Sequence, residues 1–333
     1  MKLFNIWGKT LYEDKDANNI CMLVEAAVNA GADLSGANLE GADLKGADLK
    51  GADLVESKLV KANLEGANLT GANLIKANLE GASLFEANLY GARLFGAYLH
   101  GVCLKGANLT GAYLREACLN NAHLIEADLK NAILIEANLS HANLERTNLE
   151  RADLLGADLL GANLIDVNLE RVNLTGAKLY GANLEGANLR EANLEGANLQ
   201  RAFLERTCLT GAKLRKANLT HVRVAYLEDA DLGGADLGRA DLRKAKLQGA
   251  NLRGVYLREA NLKRAYLVGA NLKRAKLEGA DLSGANLEGA DLTEAKLTGA
   301  NLIDANLKGS NLREADLRKA KLIDANLEGA KLV

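Results

Sequence analysis

Hydrophobic residues recur at every fifth position through most of this chain. Leucine occupies that position from Leu34 to Leu219 without interruption, and again from Leu227 to Leu332. The residue two positions before each leucine is alanine, or at eight sites Ser, Thr or Val, so a size limit operates there. The remaining positions are mostly polar, and we therefore expect the leucines and the small residues to share one interior.

A five-residue period fits neither regular element of secondary structure. Successive leucines would spread around all sides of an α-helix, and would alternate between the two faces of a flat strand. A backbone that bends by a fixed angle after each unit keeps every leucine inside, together with the small residue two positions earlier. Glycine is frequent in the second residue after leucine, where a corner requires permissive backbone angles. The pattern predicts a hollow coil of short sides, and the chain has no proline to interrupt hydrogen bonds between coils.

The repeating unit resembles the A(D/N)LXX motif of the pentapeptide-repeat family, as in GADLSGANLEGADLKGADLKGADL at 31–54. The resemblance extends over residues 31–333. It implies an all-β fold, a right-handed quadrilateral β-helix in which four units make one coil and residue n stacks on residue n + 20. The sixty leucine-centred units would then make about fifteen coils.

Residues 1–30 lack the repeat and are expected to form a small N-terminal cap over the first coil. Two short strands are predicted at Leu3–Trp7 and Thr10–Glu13, joined by a type II′ turn at Gly8-Lys9. A helix over 17–29 would follow, with Asp16 as its N-cap and Gly31 at its C′ position. Its apolar face would consist of Ile20, Leu23, Val24, Ala27 and Val28.

The repeat is broken once, at 220–226, between coils spanning 31–219 and 227–333. Leu227 follows Leu219 by eight positions, which is three more than one five-residue unit and two fewer than two units. Val222 and Val224 fit the inward pattern, which favours a tightened corner. A three-residue bulge that exposes both valines is the alternative.

The C-terminal repeats have no predicted cap. An uncovered coil end exposes backbone groups and leucines, so we expect it to pair with a second copy of the chain. Leu327, Leu332 and Val333 are the candidate dimer contacts, and dimerisation through C-terminal coils is also known in the pentapeptide-repeat family that the chain resembles.

Outward positions read in steps of twenty contain one apolar stripe, a candidate protein-binding surface. It comprises Val55, Ile75, Phe95, Arg115, Ile135 and Leu155 in one column and Arg93, Tyr113 and Ile133 in the next. The corresponding columns on the other sides are mostly polar. A second interpretation stays open, in which these side chains only cover one another and rigidify the face.

A basic band lies between residues 239 and 276, with eleven Lys or Arg and two acids in a chain whose net charge is −2. The candidate anion-binding residues are Arg243, Lys244, Arg253, Lys263, Arg264, Lys273 and Arg274. Stacked like charges repel unless an anionic partner or solvent relieves them, so the alternative is a solvated face. Tyr226, Lys246 and Tyr266 share a column that would allow a cation–π contact.

No catalytic, cofactor or metal site is predicted. Cys103 and His123 share a column with Cys118 around the corner, but their spacing matches no metal motif. No phosphate loop or nucleophile–base pair is found, and the Asp and Asn before each leucine are too regular for catalysis. Their expected role is hydrogen bonding at corners. The cysteine spacing, the absence of a signal-like segment and the absence of long apolar runs predict a cytoplasmic protein without membrane spans.

These features favour a non-enzymatic, rod-like interaction protein that binds a protein partner along a lateral face. The resemblance suggests one alternative, a duplex-DNA mimic that binds DNA gyrase, but that role requires a strongly acidic surface. Anion or nucleic-acid binding by the basic band is the other alternative, although the near-neutral charge makes nucleic acid the less favoured partner.

Overall fold

The computed structural model describes residues 1–332, except for the side chains at 224 and 225. The chain divides into two compact units, Met1–Asn168 and Leu169–Val333. In both, short parallel bridges join residues twenty apart, as between Asp53 and Asn73 in the first and between Asn251 and Asn271 in the second. This spacing confirms that four five-residue sides complete one coil.

The interior of each coil is built from the leucines and the small residues. Leu94 and the leucines twenty residues before and after it are fully buried, as is Ala92. The hydroxyl of Thr147, at a small-residue position, donates to the Leu124 carbonyl over 2.7 Å. The hydroxyls of Ser57 and Ser310, at equivalent positions, are buried without a hydrogen-bond partner. Most of the interior is therefore apolar, with a few hydroxyls placed in it.

The corners have a constant backbone conformation. The second residue after leucine has a positive φ whether it is Gly66, at 63°, or Glu56, at 54°. The preceding Asp or Asn supports the corner, as where Asn68 Oδ1 accepts the N–H of Thr70 over 3.2 Å. The predicted role of these polar side chains in corner hydrogen bonding is confirmed.

An antiparallel hairpin precedes the first coil, with β1 at Lys2–Phe4 and β2 at Thr10–Glu13. The predicted type II′ turn at Gly8-Lys9 is wrong, because Gly8 N–H donates to the Asn5 carbonyl and Asn5 N–H donates to that of Lys9. The chain therefore reverses over residues 6–8. The Asn5 side chain stabilises this loop by accepting the N–H groups of Trp7 and Lys9, at 3.0 and 2.8 Å. For the same reason β1 ends before the loop and does not reach Trp7.

Helix α1, Ile20–Asn29, begins later than predicted, and its N-cap is Asn19, not Asp16. Asn19 Oδ1 accepts the N–H of Met22 over 2.8 Å, a bond that Asp16 is too far from the helix to make. On its apolar face Leu23, Val24 and Ala27 are buried, whereas the two outer members, Ile20 and Val28, are only half-buried. Gly31 has the expected left-handed conformation after the helix, with φ of 68°.

The hairpin extends the hydrogen-bonding edge of the first coil. The Phe4 carbonyl accepts the N–H of Asn38, and Ile6 N–H donates to the Gly36 carbonyl, each over 2.9 Å. The first coil is thereby paired on the side that faces the N-terminus, which is the contact a cap requires.

The break in the repeat lies in the second unit, where β3, Phe203–Cys208, pairs in parallel with β4, Arg223–Tyr226. Phe203 pairs with Arg223, twenty residues on, but Cys208 pairs with Tyr226, eighteen residues on. The chain advances five residues from Phe203 to Cys208 but only three from Arg223 to Tyr226, so this corner of β4 is two residues shorter than the corner of β3 beside it. A tightened corner is confirmed and the three-residue bulge is excluded; Val222 is buried, while the side chain of Val224 lies outside the described part.

Candidate functional site

The predicted apolar stripe contains an open groove of about 580 Å³ on the first unit. We call it the apolar groove; it is lined by Ile75, Arg93, Phe95, Tyr113, Arg115 and Ile133. The backbones of Arg93, Tyr113 and Ile133 are bridged in succession. Val55, Ile135 and Leu155 continue the neighbouring column but do not line the groove, so the structure brings six of the nine stripe residues together.

The aromatic side chains of the apolar groove are accessible to a partner. Tyr113 is 51% exposed and Phe95 is 36% exposed, whereas Ile75, one coil before Phe95, and Ile133, one coil after Tyr113, are half-buried. The aromatic rings thus lie on adjacent coils, with an isoleucine at each end of the groove. Adjacent apolar side chains of this kind are typical of interaction surfaces.

The two arginines of the apolar groove differ in their charge partners. Arg115 Nε lies 3.1 Å from Oε1 of Glu116, its neighbour in sequence. Arg93 has no ion pair among the described residues. The groove therefore presents one uncompensated cation beside its apolar surface.

The basic band is neutralised more than its sequence indicated. Arg243 makes two hydrogen bonds to the Asp241 carboxylate, at 2.8 and 2.7 Å, which lower the pKa of that carboxyl. Arg274 Nε lies 2.6 Å from Oε2 of Glu294, and Lys273 Nζ lies 3.9 Å from Oε1 of the same side chain. Glu294 lies outside residues 239–276 but on the next coil, so the net charge of that sequence segment does not include it. The other four candidates, Lys244, Arg253, Lys263 and Arg264, have no ion pair among the described residues.

A second indentation, of about 430 Å³, brings together cations that no sequence pattern had connected. We call it the cationic notch; its lining includes Arg215, Lys216, Gly233, Gly234, Arg253 and Arg274. Arg215 and Lys216 precede the break in the repeat and were not predicted. The sequence feature that could have indicated this site is the glycine pair Gly233-Gly234, because it leaves one corner without its two outward side chains.

The remaining predicted contacts have mixed outcomes. Cys103 pairs with His123 across adjacent coils, and no cluster of three metal-ligating side chains occurs within residues 1–332. The ammonium of Lys246 lies 5.1 Å from the ring centre of Tyr226, so the predicted cation–π contact is confirmed for this pair.

Leu332 is 51% exposed and Leu327 is half-buried in the last coil, while Val333 lies outside the described residues. Dimerisation through this coil stays a prediction. No helix in the described part of the chain has the length and apolar character needed to cross a membrane.

Comparison with known proteins assigns the class. The family model for Pentapeptide repeats (8 copies) matches in overlapping segments over 30–223, 225–293 and 295–332. The chain therefore belongs to the pentapeptide-repeat family, and its coils are those of a right-handed quadrilateral β-helix. The matched segments are interrupted at 224, within the tightened corner, and also at 294, in a regular coil. A search of curated proteins finds no match.

Several solved structures are similar to the chain. HetL, a pentapeptide repeat protein involved in heterocyst differentiation regulation from the cyanobacterium Nostoc sp. strain PCC 7120, is 40% identical over 67% of this chain and 88% of its own, with a TM-score of 0.27. QnrB1, a plasmid-mediated fluoroquinolone resistance protein, is 20% identical over 57% of this chain and 88% of its own, with a TM-score of 0.26. A pentapeptide repeat protein from the thylakoid lumen of Arabidopsis thaliana is 30% identical over 37% of this chain and 69% of its own, with a TM-score of 0.21.

Proposed function

We propose that this protein is a non-enzymatic interaction protein that binds a protein partner at the apolar groove of its first unit. The observation that carries the proposal is the exposure of Phe95 and Tyr113 on adjacent coils, with a half-buried isoleucine on the coil beyond each of them. Because the coils of the first unit that carry this surface are hydrogen-bonded to one another, the surface is rigid before binding, and little conformational entropy is lost when a partner docks.

The chemistry of the apolar groove specifies a type of partner segment. An aromatic or branched aliphatic side chain would pack between Phe95 and Tyr113, where it would bury apolar area on both sides. A carboxylate beside that anchor would pair with Arg93, which has no ion pair among the described residues. We therefore propose an acidic segment with an apolar anchor as the occupant.

The lining residues support binding rather than catalysis. They are two isoleucines, two arginines, a phenylalanine and a tyrosine. The set includes no carboxylate, histidine, cysteine or serine to act as nucleophile or general base at neutral pH.

A matched pair of substitutions tests the proposal. Tyr113 and Tyr98 occupy the same position of the five-residue unit and are 51% and 52% exposed, but only Tyr113 lines the groove. A partner captured by the wild-type chain from its source cells is identified and then titrated against purified Tyr113→Glu and Tyr98→Glu. We expect Tyr113→Glu to lose binding and Tyr98→Glu to retain it. Equal affinities of the two variants would refute the apolar groove as the binding site.

The duplex-mimic alternative gains no support from the charge arrangement. A mimic needs unpaired rows of carboxylates, whereas acids of the second unit pair with arginines on the adjacent coil, as in Arg171–Glu191 and Arg239–Glu259, at 2.8 and 2.9 Å. A gyrase supercoiling assay that responded to excess protein would restore this alternative.

A further inference from the structure

The cationic notch lies where the outward side chains of one corner are missing. Gly233 and Gly234 form that corner. On the coil below, Arg215 and Lys216 occupy the equivalent corner, and Arg253 occupies it on the coil above. Since neighbouring coils are about 4.8 Å apart, the backbones of Arg215 and Arg253 are separated by roughly 10 Å across the gap. The opening is therefore wide enough for a small anion between two guanidinium groups.

The glycines leave the gap open without being required by the backbone. A Cβ built on Gly234 would meet no atom within 4 Å, although its φ is 69°. Lys216 adopts a comparable φ of 56° with a full side chain, so this corner position accepts other residues. A Cβ built on Gly233 would lie 3.2 Å from Asp231 Oδ1, 3.7 Å from the Asn251 amide nitrogen and 3.9 Å from Arg215 Cγ. The Arg215 side chain thus extends towards the vacant corner.

The charges around the cationic notch are poorly compensated from within the chain. Arg215, Lys216 and Arg253 have no ion pair among the described residues. Arg274 is paired with Glu294 at 2.6 Å, and the Asp231 carboxylate is engaged by Gly233 N–H and the Asn251 amide, at 3.2 and 2.8 Å. Arg215, Lys216 and Arg253 thus converge on the gap without an ion pair of their own. The nearby negative charges include Asp231 and Glu294, and Glu294 acts on Arg253 as well as on Arg274, so positive charge is still in excess and an added anion stabilises the arrangement.

From this arrangement we infer that the cationic notch binds a phosphate group of a small molecule. Arginine donates two parallel hydrogen bonds to phosphate oxygens, and Arg215 and Arg253 flank the gap from opposite coils. A phosphate dianion matches several converging cations better than a single carboxylate does. The site is separate from the apolar groove and does not depend on the proposed protein partner.

Calorimetric titration of the full chain at low ionic strength tests the inference. The probes are inorganic phosphate, pyrophosphate and adenosine diphosphate, of which we expect pyrophosphate to bind saturably. Tighter binding of adenosine diphosphate than of pyrophosphate would identify a phosphate ester as the ligand, and similar affinities would identify the free anion. A wild-type chain that binds none of the three would overturn the inference.

Two pairs of variants locate the site. Gly234→Glu places a carboxylate in the gap, and Gly289→Glu makes the same change at a corner with the same open surroundings and a φ of 65°. We expect the first to weaken pyrophosphate binding at least about tenfold and the second to leave it unchanged. Arg253→Gln removes a cation from the notch, whereas Lys244→Gln removes one outside it, and only the former is expected to weaken binding.

Equal effects within either pair would overturn the assignment. A single-stranded oligonucleotide that binds more tightly than pyrophosphate, with a steep dependence on salt, would also overturn it in favour of nucleic acid.

Discussion

Tyr226 pairs with Cys208, eighteen residues earlier, although bridges on the coils before and after this pair join residues twenty apart. The missing two residues shorten one corner but leave the five-residue units in step, since Leu214 and Leu232 occupy the same place in their units. Lys213 pairs with Asp231, so Arg215 is aligned with Gly233. A count of twenty from Arg215 reaches Ala235, a core residue, so the neighbours of Arg215 are found only once the eighteen-residue step is known.

Restoring the missing corner provides a test of the eighteen-residue coil. Inserting Glu-Gly between residues 224 and 225 gives this coil the same length as its neighbours. We expect a melting temperature equal to or above that of the wild type, because the irregular register between β3 and β4 is removed. The same insertion between Glu288 and Gly289 disrupts regular coils. It should lower the melting temperature, measured by circular dichroism, by a few degrees or more. Similar losses for both insertions would contradict the proposed geometry.

Buried hydroxyls at the small-residue positions should have opposite effects when removed. Ser57→Ala deletes a hydroxyl without a partner and is expected to raise the free energy of unfolding by about 1 kcal/mol. Thr147→Val deletes the bond to the Leu124 carbonyl and is expected to lower it by about 1 kcal/mol. Urea unfolding measures both, and destabilisation by Ser57→Ala would show that its hydroxyl has a partner.

The start of α1 is testable with two alanine substitutions. Asn19→Ala removes the side chain that accepts the Met22 N–H, and should cost about 1 kcal/mol of stability. Asp16→Ala, at the N-cap favoured by sequence alone, should have little effect. A larger loss of stability for Asp16→Ala than for Asn19→Ala in denaturant unfolding would place the N-cap at Asp16.

Acid should weaken the contact between Arg318 and Asp316. The hydrogen bonds from the Arg318 side chain and backbone, followed by that from Thr298, lower the pKa of the Asp316 carboxyl below its ordinary value of 3.8. A lowered pKa in the folded state stabilises the protein above that ordinary value, and the contribution is lost as the pH falls towards the folded-state pKa. Arg318→Met should therefore raise the Asp316 pKa, as measured by carbon NMR titration.

The stability difference between Arg318→Met and the wild type should be largest at neutral pH and should shrink in strong acid. Lys319→Met is the control, since Lys319 has no ion pair among the described residues. An unchanged Asp316 pKa in the arginine variant would contradict the assigned cause.

Much of the fold follows from the sequence because the five-residue period constrains every coil in the same way. Leu94 and Ala92 are buried for a reason visible in the pattern, since both recur at intervals that return to the interior after each corner. The resemblance to pentapeptide repeats added the twenty-residue coil, without which Phe95 and Arg115 could not have been recognised as neighbours.

Local competition between similar side chains was not resolved by sequence. Asp16 and Asn19 are both good N-caps, and the choice depends on where the helix meets the first coil. The hairpin loop similarly depends on Asn5, whose side chain bonds two backbone N–H groups across the reversal.

The sequence by itself determined the repeat, the inward and outward positions and the place of the break. Only the tertiary structure decided which charges meet. Glu294 neutralises Arg274 from the next coil, and Arg215 lies beside Arg253 across a corner without side chains. Ion pairs depend on distances of a few ångströms in space, and in a coiled chain those distances are set by the length of each coil rather than by separation along the sequence.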